Sequence, residues 1–144
     1  MSVSRGTQGR ELFALLGERW NYAILREIFY GASRFGPLQR ALGIAPNMLT
    51  SRLSRLVELG LLDKVPYRDD KPWCDYSLSE SARAIVPAWM VLAQWAEANL
   101  PDGDRAERAI RHTACGQTTH PVLNCDACGK PMEAREITPA EPEV

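Results

Sequence analysis

Residues 46–59 read Pro-Asn-Met-Leu-Thr-Ser-Arg-Leu-Ser-Arg-Leu-Val-Glu-Leu, and their spacing predicts one short helix with two unlike faces. Leu49, Leu53, Leu56 and Val57 recur at i, i+4, i+7 and i+8, the pattern of a buried stripe. The opposite side carries Asn47, Thr50, Ser51, Ser54 and Arg55, with Arg52 at the flank, and its first acid is Glu58, near the end. Amides, hydroxyls and guanidinium groups on one wet face suit the DNA major groove, where base edges and phosphates accept hydrogen bonds. An ordinary amphipathic surface helix has the same pattern, so the flanking sequence has to decide.

Upstream, residues 8–16 form a short amphipathic helix with Leu12, Phe13, Leu15 and Leu16 as its apolar part. Residues 20–30 form a second, with Trp20, Ile24, Leu25 and Ile28 as its buried stripe and Gly31 closing it. A third covers residues 35–42, where Pro37 is tolerable only in the first turn. Residues 42–45 turn tightly into the 46–59 helix. Pro46 suits a helix start, but Ala45 is a poor cap, costing about 1 kcal/mol relative to Ser or Asp. Downstream of Gly60 the period changes. Residues 61–67 and 73–78 read as strands around the polar turn Arg68-Asp69-Asp70-Lys71-Pro72. A long helix then runs from residue 79 or 80 to about 100, with Ile85, Trp89, Leu92, Trp95 and Ala96 on one side and Pro87 expected to bend it.

The order helix, helix, helix, turn, helix, hairpin, long helix predicts a mainly α fold with a small β-hairpin wing, a winged helix-turn-helix. The expected organisation is a DNA-binding and dimerisation domain over residues 7–100, a linker over 101–111, a zinc-ribbon-like knuckle over 112–132 and a disordered tail over 133–144.

A chain of 144 residues with 45% hydrophobic and 24% charged residues fits one soluble domain with a modest tail. No apolar run approaches the roughly 20 residues that a membrane span needs. The first residues, Met-Ser-Val-Ser-Arg-Gly, lack the apolar core of a secretion signal, so the chain reads as cytoplasmic and bacterial in style. Its net charge of −1 gives no global basic field, but the distribution is uneven. From Arg34 to Arg55 there are four bases (Arg34, Arg40, Arg52, Arg55) and no acid, whereas from Pro101 onward five bases face eight acids. A near-neutral total thus conceals a positive face, and a local face is what docks on phosphates.

With these residues in place, the chain resembles the HxlR-type transcriptional regulators. The resemblance runs through Leu16-Gly17-Glu18-Arg19-Trp20, Ile24-Leu25-Arg26-Glu27, Gly31, Arg34-Phe35, Leu38, Gly43-Ile44, Leu49-Thr50-Ser51-Arg52-Leu53, Leu56, Gly60-Leu61-Leu62, Tyr76-Ser77-Leu78 and Trp95. It covers roughly residues 7–100 and is far more specific than a lone helix-turn-helix pattern. It implies a homodimer, formed by the N-terminal and C-terminal helices, on a near-palindromic operator of double-stranded DNA. Many members also answer to a small reactive molecule or to redox state, which leaves room for a small-molecule effector. One departure matters. Redox-sensing members carry a cysteine about thirteen residues before the tryptophan that stands here as Trp20, and this chain has Thr7 there. A hydroxyl has no thiolate chemistry, so oxidation sensing through that position is excluded.

The 46–59 helix is expected to enter the groove with its N-terminal half nearest the bases. Asn47, Thr50 and Ser51 are candidates for base edges, with Ser54 on the same face; Arg52 and Arg55 suit guanine or phosphate, and Arg34 suits phosphate. Arg68 and Lys71 sit at the wing tip, within reach of an adjacent groove, although their alternation with Asp69 and Asp70 equally fits a solvated turn. Arg52 lies close to the apolar stripe, and its alternative is an ion pair with Glu27 or Glu58 inside the fold. One helix reads few base pairs, so a dimer is physically required. Phe13, Leu16, Trp89, Leu92 and Trp95 offer apolar surface for it, with Trp20 and Trp89 the residues best suited to pure core. Aromatics at such a seam also suit an effector pocket.

His112-Thr113-Ala114-Cys115-Gly116 and Cys125-Asp126-Ala127-Cys128-Gly129 share one shape: ligand, two residues, Cys, Gly. Two side chains at that spacing converge on one ion, and the glycine lets the backbone turn beneath the sulfur. The expected structural zinc set is His112, Cys115, Cys125 and Cys128, with His120 an alternative to His112; the alternative to zinc is a pair of thiols that join when oxidised. Cys74, beside Trp73 in a strand, reads as a small buried hydrophobe. The runner-up to a DNA-binding regulator is a winged helix for protein or RNA contact with the knuckle as a docking module. An enzyme is disfavoured: both histidines lie in the tail, no glycine loop cradles phosphate, and no nucleophile has a base nearby.

Overall fold

The computed structural model describes residues 7–66, 74–101 and 109–140. The chain divides into two compact units, Met1–Ile85 and Val86–Val144. In the first, three helices precede the groove-reading candidate: α1 (Thr7–Leu16), α2 (Arg19–Phe29) and α3 (Phe35–Leu42). The fourth, α4 (Pro46–Glu58), is followed by an antiparallel hairpin of β1 (Leu62–Pro66) and β2 (Cys74–Leu78), and then by α5 (Glu80–Asn99), which runs across the division between the units.

Each helix boundary has a local cause. Glu18 caps α2, its carboxylate accepting the Asn21 N–H at 3.3 Å. The side-chain amide of Asn21 in turn donates to the Leu15 carbonyl at 3.0 Å, meeting an acceptor that the end of α1 leaves open. α3 ends on Gly43 in the left-handed conformation, with φ 62°, which turns the chain sharply into α4. Ala45 precedes α4 with no side-chain cap. Ser79 caps α5, accepting the Ala82 N–H at 3.2 Å while its hydroxyl donates to the Gly60 carbonyl at 2.7 Å, so one side chain fixes both the start of α5 and the turn after α4.

The core of this unit is built from the apolar stripes of α2, α3 and α4. Ile24, Leu25 and Ile28 of α2, Leu38 of α3, and Leu49, Leu53 and Leu56 of α4 are buried, together with Ile44, Leu61, Leu62 and Leu78. Leu49, Leu53 and Leu56 are at most 1% exposed, each contributing about 1.5–3 kcal/mol of burial free energy. Val57, expected in the same stripe, is only half-buried. In the hairpin Leu62 stands opposite Leu78 and Pro66 opposite Cys74. A two-stranded ladder leaves each strand one unpaired edge, which is where Pro66 is tolerated. The expected strand ends at residues 67 and 73 and the wing tip with Arg68 and Lys71 lie outside the described residues.

One expectation needs correction. Trp20 is half-buried rather than pure core; the Arg19 guanidinium lies 4.7 Å from its ring centroid and covers one face. In α5 the buried residues are Ala82, Val86, Trp89 and Met90, whereas Leu92 and Trp95 are 56% and 58% exposed. The burial of Trp89 fits its expected place in the core, and Leu92 and Trp95 are two of the residues expected to offer apolar surface. The helix continues through Pro87, which sits in its second turn.

The second unit adds β3 (Ile110–Arg111), inside the expected linker, paired antiparallel with β4 (Thr118–Thr119). A further bridge joins Asn124 and Pro131. Among the described residues of the stretch expected to be disordered beyond residue 132, Ala134–Glu136 forms a 3-10 turn. No helix of the described residues is long and apolar enough to cross a membrane.

Candidate nucleic-acid interface

α4 packs its leucine stripe against α2 and α3, and this decides what remains outside. Asn47, Thr50, Ser51, Ser54 and Arg55 are all exposed, on the side away from Leu49, Leu53 and Leu56. The structure therefore brings together five of the residues expected on the reading face. Asn47 Oδ1 accepts from the Met48 N–H at 3.0 Å, which leaves its side-chain amide protons turned outward as donors. The Thr50 hydroxyl donates to the Pro46 carbonyl at 3.0 Å, so its methyl group and remaining lone pairs are what it offers a partner. Arg55 Nη1 lies 3.5 Å from Glu58 Oε2 in an exposed i,i+3 pair, and such a pair contributes only about 0.2–0.5 kcal/mol. A pair that weak leaves the Arg55 charge largely uncommitted.

The other arginines are less free. Arg52 Nη2 lies 3.1 Å from Glu18 Oε1, and its Nε is buried without a hydrogen-bond partner. The fold thus takes Arg52 off the reading face, as one of the two readings of the sequence anticipated, but the partner is Glu18 rather than Glu27 or Glu58. Glu18 joins two elements: one carboxylate oxygen caps α2 and the other holds α4. Arg34 stands at the N-cap of α3 with its Nε 3.1 Å from Asp75 Oδ1, and the Ser33 hydroxyl reaches the same oxygen at 3.4 Å. With the Tyr76 N–H donating to the Ser33 carbonyl at 2.7 Å, these contacts tie the start of α3 to the wing. Arg34 keeps an exposed side chain, but half of its charge is already answered by Asp75.

Two residues were not assigned a role by the sequence. Arg40, the fourth base of the acid-free run, is exposed on α3 and extends the positive surface beside α4. Its presence in that run was the available signal. Glu18 had no comparable signal, because 34 positions separate it from Arg52.

The tail residues assemble in twos. His112 Nδ1 and Cys115 Sγ are 3.6 Å apart. Cys125 Sγ accepts hydrogen bonds from the backbone N–H groups of Cys128 and Ala127 and from the Cys128 thiol, and these donors hold its pKa below the usual thiol value. Among the described residues no group of three or more His, Cys, Asp or Glu side chains is placed to hold a metal ion. His120 is exposed and has no part in either pair. Cys74 is half-buried.

Comparison with known proteins matches this architecture. The description HxlR-like helix-turn-helix fits residues 15–104. An uncharacterised HTH-type transcriptional regulator of Mycobacterium tuberculosis, MT3179, is 47% identical over 131 residues, 91% of this chain and 82% of the relative. Among solved structures, the candidate transcription factor PA1607 superposes with a TM-score of 0.74 at 26% identity, covering 99% of this chain and 97% of its own. The reduced form of the transcriptional regulator YodB from B. subtilis gives a TM-score of 0.56 at 27% identity, covering 66% of this chain and 94% of its own. The chain belongs to the HxlR-like helix-turn-helix family.

Proposed function

We infer that this family member is a sequence-specific, double-stranded DNA-binding transcriptional regulator that works as a homodimer on a near-palindromic operator. The observation that carries this reading is the outer face of α4, where Asn47, Thr50, Ser51, Ser54 and Arg55 are exposed together opposite a fully buried leucine stripe. Asn47, Thr50 and Ser51 read base edges. Arg55 takes a phosphate or a guanine, Arg34 and Arg40 take phosphate, and Arg68 and Lys71 of the wing reach the neighbouring groove or backbone. Arg52 acts from within, by holding α4 to the start of α2. The chain works on DNA in the cytoplasm by binding, not by catalysis.

Two apolar surfaces support the dimer. Leu12 and Phe13 on α1 are 41% and 67% exposed, and Leu92, Trp95 and Leu100 in and just beyond α5 are all more than half exposed. Large apolar side chains left in water on α1 and α5 fit an interface. Exposed aromatics of this kind also suit a small-molecule effector.

Selection of duplexes from a random DNA pool by the full-length protein tests the reading. The expected result is a motif of two related half-sites, with centres one helical turn, about 10–10.5 base pairs, or a multiple of it apart. A single half-site overturns the dimer. No enrichment at low salt overturns DNA reading and returns the chain to a protein- or RNA-contact role.

A further inference from the structure

The tail contains two turns built to the same plan. In the first, the His112 N–H donates to the Gln117 carbonyl at 2.9 Å and the Gly116 N–H donates back to the His112 carbonyl at 2.7 Å. In the second, the Cys125 N–H donates to the Lys130 carbonyl at 2.8 Å and the Gly129 N–H donates to the Cys125 carbonyl at 2.8 Å. Position for position, the hydrogen bonds run i to i+5 and i+4 to i in both. Each turn closes on a glycine in the left-handed region, φ 73° at Gly116 and 74° at Gly129. A Cβ at either glycine would meet nothing within 4 Å, so the backbone angle and not space demands glycine there. Each turn sits at the tip of a small antiparallel pairing, β3 with β4 in one and the Asn124–Pro131 bridge in the other.

This plan presents the side chains of positions i and i+3 on one side of each turn. The separation in the first is informative. A zinc ion binds sulfur at about 2.3 Å and imidazole nitrogen at about 2.0–2.1 Å, and a tetrahedral angle between them spaces the two ligand atoms about 3.6 Å apart. His112 Nδ1 and Cys115 Sγ stand 3.6 Å apart. In the second turn the matching backbone hydrogen bonds put Cys125 and Cys128 at the positions that His112 and Cys115 hold in the first. Nothing in a winged helix needs either turn. Both lie far along the sequence from α4.

We propose that the two turns are half-sites of one structural zinc centre, with His112, Cys115, Cys125 and Cys128 as its four ligands. Three thiolates and an imidazole suit a borderline-soft divalent ion and not calcium or magnesium, which take oxygen. The half-sites stand formed but apart, so the ion itself draws them together and its binding energy becomes folding energy of the tail. Four protein ligands close the site to water and substrate, which makes it structural.

Cobalt(II) is the probe. Full-length protein, reduced and metal-free, is expected to take up one equivalent of cobalt per chain. Its spectrum should show thiolate charge-transfer absorption with intense d–d bands of four-coordinate geometry, and zinc should displace it. Replacing a direct ligand should weaken uptake at least as much as losing an outer-sphere partner does, about tenfold or more. That loss is expected for His112→Ala, Cys115→Ser, Cys125→Ser and Cys128→Ser, and not for His120→Ala. Circular dichroism of the helices should be unchanged, which separates ligand loss from misfolding. No cobalt uptake, or octahedral spectra alone, overturns the site. Loss confined to Cys125→Ser and Cys128→Ser overturns the joining of the two turns. Loss with His120→Ala and not His112→Ala overturns the ligand set.

Discussion

Arg55 and Arg52 lie three positions apart on one helix and do different work. Arg55 is exposed and held by one weak i,i+3 pair, so its charge is available to a phosphate. Arg52 is about one third exposed and committed to Glu18 at 3.1 Å. Each phosphate neutralised on B-DNA releases counterions, which steepens the fall of log affinity with log salt by about 0.9 per contact. Arg55→Ala is therefore expected to weaken operator binding and flatten that slope by about 0.9. Affinity measured at several salt concentrations checks this, and an unchanged slope refutes a phosphate role for Arg55. Arg52→Ala is expected to leave the slope alone. A flatter slope in that variant would return Arg52 to the reading face. The distinction was only half legible in the sequence. Helical spacing put Arg52 at the flank of the apolar stripe, but nothing local could identify a partner 34 residues upstream.

At the level of elements, the reading helix is held by its leucines and by one acid. Glu18 accepts the Asn21 N–H at the start of α2 and the Arg52 guanidinium on α4, so a single side chain sets both the entry of α2 and its registration with α4. Glu18→Ala removes the cap, which costs about 1 kcal/mol, and leaves Arg52, whose Nε already lacks a partner, without its counter-ion. Both side chains are about 30% exposed, so water recovers part of the lost pairing. The expected loss is about 1–2 kcal/mol of unfolding free energy, read from a lower urea midpoint at constant slope. A midpoint unchanged within error would show that the pair holds nothing. Local patterning was sufficient for most elements: α3 lies where Pro37 and Gly43 place it, and α4 starts at Pro46 and stops beside Gly60. In α5 the period needed help from residue type. Period alone marks an apolar stripe without saying whether the chain's own core or another surface covers it. Leu92 and Trp95 share an apolar side with Trp89 in the sequence; Trp89, expected in the core, is buried along with Ala82, Val86 and Met90, while Leu92 and Trp95, offered as surface, are exposed. The tail shows the same boundary of legibility: the repeated spacing located both turns, while the distance between them depends on contacts that no spacing encodes.

At the level of the whole molecule, the affinity of a groove-reading helix is limited by how many bases it touches. One α4 presents five polar residues, enough for a few base pairs, whereas a twofold pair doubles the contacts without enlarging the chain. The surfaces left to make that pair carry Phe13 on α1 and Leu92 and Trp95 on α5, all more than half exposed in the protomer. Leu92 and Trp95 are three positions apart and so share a helix face. Trp95→Asp tests the arrangement cleanly. A charge at an exposed position changes the protomer's own stability by no more than about 0.5 kcal/mol, yet in a closed apolar seam a buried carboxylate has no partner. The substituted chain is expected to sediment as a folded monomer at concentrations where the parent is dimeric. Losing one half-site forfeits at least two base contacts at about 1–3 kcal/mol each, so operator affinity should fall at least about thirtyfold. A Trp95→Asp chain that remains dimeric and binds its operator undiminished would place the seam elsewhere, and with it the spacing between the two reading helices.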